Sequence, residues 1–260
     1  MASIPSITLN DGATIPQFGL GVWRVQQDDT ADVVRTALEA GYRHIDTAQM
    51  YGNETGVGQG IRDAGVARDD VWVTTKLAGA DHGYEPARRA LDASLQRLGT
   101  DHVDLYLIHW PGRDGDVDTW RAFEALRDDG RARSIGVSNF GEAQLDRLAD
   151  QTGTVPSVNQ IELNPRTPQQ SLREYHQRAG IATEAWAPLA EGGLLRERTI
   201  AQIAEARSRT PAQVVLRWHL QHGFIVFPKS ATPARIRENI DITDFELSDD
   251  DMAAIDALGH

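Results

Sequence analysis

The chain has 260 residues, of which 26 are basic and 38 acidic, and its formal net charge is −12. A surface of that sign repels nucleic acid and anionic membranes, so we expect neither as a partner. The chain contains no cysteine, which excludes disulfides, thiolate nucleophiles and thiolate metal sites.

In chain order, the first feature is the N-terminal segment Met1–Pro5, which lacks the charged and apolar regions of a signal peptide. No segment reaches the ~20 apolar residues of a transmembrane helix, so we expect a cytoplasmic protein. The next segment, Thr8–Ile15, places an Asn-Asp-Gly turn between two short runs, which predicts a β-hairpin.

Short β-branched or apolar runs then alternate with helical patterns. The eight predicted strands are Phe18–Val22, Arg43–Ile45, Val71–Thr75, Val103–Ile108, Ala132–Val137, Ser157–Ile161, Ala182–Ala185 and Phe224–Phe227. Such alternation indicates βαβ units with a parallel sheet. Eight units in one chain favour an α/β fold of the (β/α)8 TIM barrel class, with the hairpin capping its N-terminal mouth. No linker divides the chain, so we expect one domain over residues 1–260.

Apolar stripes and capping signals mark several of the helices. The stripes are Val34, Ala37 and Leu38, then Leu91, Leu95 and Leu98, then Leu145 and Leu148. Asp28–Thr30 predicts a capping cluster for the first of these helices, and Ser248–Asp251 predicts a capping box for the last helix.

Residues capable of chemistry or recognition stand at or just past the end of nearly every predicted strand. They are Trp23, Asp46, Lys76, His109 with Trp110, Ser138 with Asn139, Gln160, Trp186, and Lys229 with Ser230. The carboxyl ends of the strands of such a barrel meet at one rim, and that rim holds the active site. These positions therefore predict a barrel enzyme.

Two other segments do not support the chemistry that they suggest. Gly56–Gly60 has Ile61 where a dinucleotide fingerprint needs its third glycine, and no predicted strand precedes it. Gly136–Phe140 resembles a nucleophile elbow but has Phe140 where the second glycine belongs. The eight histidines lack the spacing of a ligand set, so we expect no metal.

Several long motifs, in order along the chain, resemble those of the aldo-keto reductase family. They are Gly41–Ala48 with Tyr51–Glu54, Val103–Pro111, Ile135–Phe140, Val158–Glu162, and Phe227–Ser230 with Arg235, Glu238 and Asn239. Within the family, they are most similar to bacterial 2,5-diketo-D-gluconate reductases. The resemblance implies a barrel enzyme that reduces aldehydes or ketones, including keto sugars and α-keto compounds, with NADPH.

The resemblance implies a catalytic tetrad of Asp46, Tyr51, Lys76 and His109. Tyr51 would donate the proton, and Lys76 would lower the pKa of Tyr51 from its usual value of ~10. Asp46 would hold Lys76 in position and stabilise its charge. His109 would bind the substrate carbonyl oxygen as a neutral imidazole.

The resemblance also implies the residues that bind NADPH or NADP+. They are Ser138, Asn139 and Gln160 at the carboxamide, Trp186 under the nicotinamide ring, Pro188 and Leu189 along the pyrophosphate, Lys229, Ser230 and Arg235 around the 2′-phosphate, and Glu238 and Asn239 at the adenine. An arginine fork and a lysine charge suit a phosphate dianion, which favours NADPH over NADH.

Three departures from the family pattern concern the substrate pocket. Ala78 stands where members often carry a bulky aromatic, the loop Glu191–Leu195 is short, and the chain ends soon after its last helix. We therefore expect an open pocket with little discrimination between carbonyl substrates. Its walls would be Trp23, Tyr51, His109 and Trp110.

Two alternatives stay open. One is a non-catalytic NADPH-binding sensor or auxiliary protein, although a pure binder does not need Lys76 together with Asp46. The other is a barrel hydrolase or aldolase that uses Lys76 to form a Schiff base. A carboxylate partner would keep that lysine protonated, which disfavours this role. We expect a small-molecule carbonyl substrate, and the resemblance implies a monomer.

Overall fold

The computed structural model describes residues 4–112 and 116–259. Residues 1–3 of the segment Met1–Pro5, and the last residue, lie outside the described part. The strands are β1 Ser6–Thr8, β2 Thr14–Pro16, β3 Leu20–Gly21, β4 His44–Asp46, β5 Trp72–Leu77, β6 Val103–Ile108, β7 Ala132–Ser138, β8 Val158–Glu162, β9 Ala182–Trp186 and β10 Ile225–Val226. The α-helices are α1 Gln27–Glu39, α2 Glu54–Asp63, α3 Tyr84–Leu98, α4 Val117–Asp128, α5 Glu142–Thr152, α6 Gln170–Ala179, α7 Arg198–Arg207, α8 Pro211–Gln221, α9 Pro233–Ile240 and α10 Asp249–Asp256.

Strands β3 to β10 form a single parallel sheet, in which each strand pairs with its neighbour in the sequence. Two parallel bridges, Phe18 to Val226 and Gly21 to Lys229, join the first strand to the last and close the ring. At this seam a Cβ on Gly21 would lie 2.8 Å from the carbonyl oxygen of Phe227, so only glycine allows the approach. The (β/α)8 barrel that the sequence predicted is confirmed.

The predicted N-terminal hairpin is also confirmed. Strands β1 and β2 pair antiparallel, and Gly12 turns the chain with a φ of +88°. Leu9 and Ile15 of the hairpin belong to a core cluster with five barrel residues, namely Trp72, Leu105, Leu107, Val158 and Ile225. Three of these residues begin their strands, so the hairpin covers the N-terminal end of the barrel and leaves the opposite rim free.

A larger core lies between the sheet and the surrounding helices, and the predicted apolar stripes of α1, α3 and α5 are buried in it. The capping box that opens α10 is present, with Ser248 accepting from the Asp251 amide. The predicted capping cluster of α1 is wrong, because the N-cap is Gln26 and Asp28 and Asp29 lie in the first turn. In the first turn their negative charges interact favourably with the positive end of the helix dipole. No helix in the described ranges has the length and apolar character needed to cross a membrane.

The glycine-rich segment Gly56–Gly60 lies within α2, where it allows close helix packing. A Cβ on Gly58 would lie 1.9 Å from the carbonyl oxygen of Leu98 in α3, and one on Gly60 would lie 2.6 Å from that of Ala31 in α1. The glycines therefore let α2 pack close to both neighbouring helices. This packing explains why glycines occur here, and no phosphate-binding loop is needed to explain them.

Candidate active site

The rim at the carboxyl ends of the strands gathers the polar residues that the sequence placed there. Asp46 ends β4, Lys76 is the penultimate residue of β5 and His109 directly follows β6. Ser138 and Trp186 end β7 and β9. Parallel strands of one barrel point these ends to the same side, so the side chains surround a common space.

A buried ion pair lies at the centre of this rim. Lys76 Nζ donates to Asp46 Oδ1 at 2.7 Å and to the carbonyl oxygen of Thr47 at 2.9 Å. Lys76 is 0% exposed. Burial is the largest influence on Lys76 and would alone lower its pKa, but the Asp46 carboxylate and Tyr51 together outweigh that effect, and the net pKa is raised. The ammonium group therefore stays charged.

Tyr51 reaches this ion pair from a short 3₁₀ helix, Gln49–Tyr51. Its hydroxyl oxygen lies 3.4 Å from Lys76 Nζ. The next turn is held by Asn53, which is fully buried, donates to the carbonyl of Val22 and accepts from Thr47 Oγ1. Asn53 thus fixes the loop that carries the tyrosine.

Burial is the largest influence on the Tyr51 hydroxyl, and it raises its pKa above the usual value. Lys76 acts in the opposite direction without reversing the rise. Lys76 lowers the pKa of Tyr51 as expected, but lost hydration outweighs the ammonium, so the net pKa lies above the usual value. Tyr51 carries its proton at neutral pH.

His109 packs edge-on against Tyr51, with ring centroids 5.7 Å apart. Burial, aided by the charge of Lys76, lowers the pKa of His109 to about 3. Its Nδ1 is buried and has no hydrogen-bond partner among residues 4–112 and 116–259. The imidazole is therefore neutral at physiological pH, as the sequence reading expected.

Ser138, Asn139 and Gln160 form a connected polar group beside the tetrad. Asn139 Nδ2 donates to Ser138 Oγ at 2.9 Å, and Ser138 Oγ donates to the carbonyl oxygen of Gln160 at 2.8 Å. Gln160 Nε2 donates to Asp46 Oδ2 at 3.0 Å and to Glu184 Oε2 at 2.8 Å. Because both amide hydrogens go to carboxyl groups, Gln160 presents its Oε1 as an acceptor.

The Trp186 indole is held in a fixed orientation. Its Nε1 donates to Asn139 Oδ1 at 2.9 Å, and the ring is partly buried. Asn139 adopts a left-handed backbone conformation, with a φ of 65°, which asparagine tolerates better than most residues. A planar face at this position suits stacking against an aromatic ring.

The chain beyond β9 turns sharply over the rim. Pro188 is buried, its carbonyl lies 3.3 Å from His219 Nε2, and Leu189 is half-buried. Ala187 and Ala190 both have positive φ, which is unusual for residues other than glycine. Such strained backbone is often found where a segment clamps a ligand.

The residues expected around the 2′-phosphate and adenine lie on and just before α9. Lys229 and Arg235 are exposed, and within the described ranges neither side chain forms an ion pair. Ser230 and Asn239 are buried. Glu238 Oε1 already accepts from Thr210 Oγ1 at 2.7 Å. The two cations are thus available to an anion.

Large apolar side chains are exposed at the mouth of the site. Trp23 is 43% exposed, Trp110 is 50% exposed, and Met50, next to Tyr51 in the chain, is 61% exposed. The sequence reading named both tryptophans but missed Met50. It also missed Glu184, whose one local signal was its carboxyl side chain inside the short predicted strand Ala182–Ala185.

Comparison with known proteins gives the family. The model of the aldo/keto reductase family matches residues 15–260. An aldo-keto reductase of Mycolicibacterium smegmatis is 56% identical over 256 residues, covering 98% of this chain and 93% of that protein. The glyoxal reductase of Bacillus subtilis is 50% identical over 254 residues, covering 97% of this chain and 92% of that protein.

Solved structures agree with this result. The aldo/keto reductase from Brucella melitensis has a TM-score of 0.97 and 53% identity, and the match covers 99% of both chains. A variant of the protein Gox0644 in complex with NADPH has a TM-score of 0.94 and 46% identity, covering 100% of this chain and 95% of that chain. The chain therefore belongs to the aldo/keto reductase family, and it is an oxidoreductase.

Proposed function

We propose that this oxidoreductase reduces small aldehydes and ketones to alcohols, with Tyr51 as the proton donor. The observation that carries the proposal is the contact of the Tyr51 hydroxyl with a fully buried ammonium, Lys76, whose position Asp46 fixes. When Tyr51 releases its proton, the ammonium stabilises the phenolate that forms. A positioned general acid contributes ~10²–10⁴-fold to the rate.

His109 orients the carbonyl group. Its neutral ring donates one hydrogen bond to the substrate oxygen without carrying a charge that would compete with Lys76 for the phenolate. The edge-on packing against Tyr51 brings the two polar groups to one side of the site. The substrate oxygen would therefore lie between the histidine and the proton that it receives.

NADPH is the cofactor, and when bound it supplies the hydride. The residues present fit this group. Gln160 offers a free acceptor for the carboxamide NH2, and Trp186 offers a fixed aromatic face for the ring. Lys229 and Arg235 are exposed cations without an ion pair in the described part of the chain, and they suit the 2′-phosphate. Ser138, Asn139, Ser230 and the segment Pro188–Leu189 complete the proposed binding surface, with Glu238 and Asn239 at the adenine.

The substrate class follows from the mouth of the site and from one relative. Trp23, Met50 and Trp110 are all exposed, and we infer that they border an open site rather than a closed pocket. A relative that is 50% identical is a glyoxal reductase, which acts on a small dicarbonyl compound. We therefore propose small aldehydes and α-dicarbonyl compounds as the substrates that the site accepts best, with larger carbonyls also admitted.

A panel of carbonyl compounds tests this function. The loss of NADPH absorbance is followed with glyoxal, methylglyoxal, a bulky aromatic aldehyde and a ketone. We expect turnover with each, and values of kcat/KM within about a thousandfold of one another. A wider spread would contradict the open mouth. Tight NADPH binding without turnover of any carbonyl would instead favour the sensor.

The Schiff-base alternative is disfavoured by the surroundings of Lys76. The amine is inaccessible to solvent, charged, and already donates to Asp46 and to a backbone carbonyl. Borohydride in the presence of a carbonyl substrate would trap a Schiff base at this lysine. We expect no such adduct by mass spectrometry.

The monomeric state and the cytoplasmic location stay predictions, as does the absence of a nucleic-acid partner. Light scattering of the purified chain checks the first, since a monomer has a mass of 28.6 kDa. A mobility-shift assay with duplex DNA and RNA checks the last.

A further inference from the structure

A second carboxyl group lies beneath the proposed site, and the tetrad does not include it. Glu184 stands in the middle of β9, opposite Gln160 of β8 and Ile225 of β10 in the strand register. Its side chain is 0% exposed. A glutamate is almost never fully buried unless it is paired, so this residue requires an explanation.

Glu184 is joined to Asp46 through one amide group. Gln160 Nε2 donates to Glu184 Oε2 at 2.8 Å and to Asp46 Oδ2 at 3.0 Å. Glu184 Oε1 is buried and has no partner in the described part of the chain. One N–H donor does not compensate a buried carboxylate, whose two oxygens both need donors.

The charges that face Glu184 come from across the barrel. Asp46 on β4 repels a second negative charge, and Lys76 on β5 attracts it. The neighbouring strands contribute the uncharged Gln160 and Ile225. His176 of α6 does not face Glu184, because it contacts Thr183, whose side chain lies on the other face of β9. Burial, with the repulsion from Asp46, raises the pKa of Glu184 to about 8.

We propose that Glu184 is a positioning residue for the reduction, which acts as a neutral carboxylic acid and holds the Gln160 amide against Asp46. This arrangement fixes the Gln160 acceptor that faces the carboxamide of the cofactor. It also leaves the other oxygen of Asp46 to accept from Lys76. The inference rests on the proposed function, because Gln160 and Asp46 matter only if the site binds NADPH and donates a proton.

Ionisation of Glu184 would disturb the contact of Gln160 with Asp46 and the contact of Asp46 with Lys76. A second negative charge beside Asp46 repels it and opposes the formation of a phenolate at Tyr51. Reduction should therefore slow as pH rises through the ionisation of Glu184, well before Tyr51 itself loses its proton, since burial raises the pKa of Tyr51 above its usual value. Glu184→Gln has a similar shape and cannot ionise, so it should lack this loss.

The test compares the pH dependence of kcat/KM for the wild type, Glu184→Gln and Glu184→Leu. We expect the wild-type value to fall about tenfold per pH unit above the ionisation of Glu184. Glu184→Gln should match the wild type at neutral pH and should not show this fall in kcat/KM before Tyr51 itself loses its proton. Glu184→Leu, which cannot accept from Gln160, should raise the KM for NADPH about tenfold or more with a smaller change in kcat. The exposed Glu205→Gln, on α7, is the matched control and should follow the wild type.

Infrared spectroscopy supplies a readout that does not depend on activity. A buried neutral carboxylic acid gives a C=O band at neutral pH, and Glu184→Gln should lack it while Glu205→Gln keeps it. Absence of that band from the wild type, or an unchanged pH profile in an active Glu184→Gln, would overturn the inference and leave the proposed function intact. A wild type that reduces no carbonyl would overturn both.

Discussion

Lys76 and Asp46 depend on each other because each is the main counter-charge of the other. Lys76→Met would leave the buried Asp46 carboxylate with the Gln160 amide as its one remaining side-chain donor within residues 4–112 and 116–259. We expect a loss of ~3–5 kcal/mol in the free energy of unfolding, the usual result of leaving a buried charge unpaired. Denaturant titration measures it.

The double variant Asp46→Asn with Lys76→Met is the control for this prediction. It removes both charges, so it should be more stable than Lys76→Met alone. Equal losses in the single and double variants would mean that the ion pair does not determine the cost.

His109 is neutral over the whole physiological range, because burial and Lys76 lower its pKa to about 3. The kcat/KM for reduction should therefore be level between about pH 5 and pH 7, with no inflection near the ordinary histidine value of ~6.5. A pH profile of the wild type beside His109→Gln checks this. An inflection near that value in the wild type, absent from the variant, would show that the ring titrates in the working range.

At the scale of elements, the glycines of α2 are set by helix packing. Alanine normally favours a helix over glycine by ~1 kcal/mol, so propensity alone predicts that Gly58→Ala stabilises the protein. The new Cβ would however lie 1.9 Å from the carbonyl oxygen of Leu98. We expect a net loss of ~1–3 kcal/mol in the free energy of unfolding, typical of overpacking.

Gly79→Ala provides the matched control for Gly58→Ala. Gly79 has no atom within 4 Å of the added carbon and does not have a positive φ. Thermal or denaturant unfolding should show little change for it. A stabilised Gly58→Ala would contradict the close packing of α2 against α3.

The bounds of the strands show how far a local sequence pattern determines where an element begins and ends. The bounds of β6, Val103–Ile108, agree with the prediction because a fully buried run, apolar except for Asp104, leaves little choice. Strand β3 is shorter than the predicted Phe18–Val22, since its pairing with β10 is reduced to two isolated bridges. Where a strand ends depends on its partner, which local sequence does not specify.

In the site, too, local sequence predicts some residues, whereas others depend on partners that only the fold brings together. Asp46, Lys76 and His109 were predictable as rim residues, because each stands at the end of a recognisable strand. Glu184 was not, because its meaning depends on Gln160 and Asp46, which meet it only when the barrel closes. The net rise of the Tyr51 pKa was not predictable for a related reason, since the burial that causes it is a property of the whole fold.

At the scale of the whole molecule, four buried histidines control the stability in acid. Burial lowers the pKa of His44, His109 and His219 to about 3 and that of His176 to about 4. Below about pH 6.5 an unfolded histidine binds a proton that the folded one does not, so the free energy of unfolding falls as pH falls through this window. By pH 4 the combined loss is on the order of 10 kcal/mol, comparable to the total stability of a domain.

We therefore expect acid unfolding before pH 4, as followed by circular dichroism. His219→Gln should reduce the slope of unfolding free energy against pH below about 6.5. Glu184 acts in the opposite direction, because its folded pKa of about 8 exceeds its unfolded pKa. Its contribution to the free energy of unfolding therefore declines as pH rises from the unfolded to the folded pKa. A free energy of unfolding that stays constant from pH 7 to pH 4 would contradict the neutral histidines.

The central claim is that Tyr51 gives the proton in a reduction by NADPH. Tyr51→Phe removes one hydroxyl and keeps the ring that packs against His109. The decisive measurement is NADPH turnover with methylglyoxal by wild type and Tyr51→Phe, together with the Kd of NADPH for both. We expect a loss of about 10²–10⁴-fold in kcat with the Kd nearly unchanged. Turnover by Tyr51→Phe within about tenfold of the wild type would contradict it.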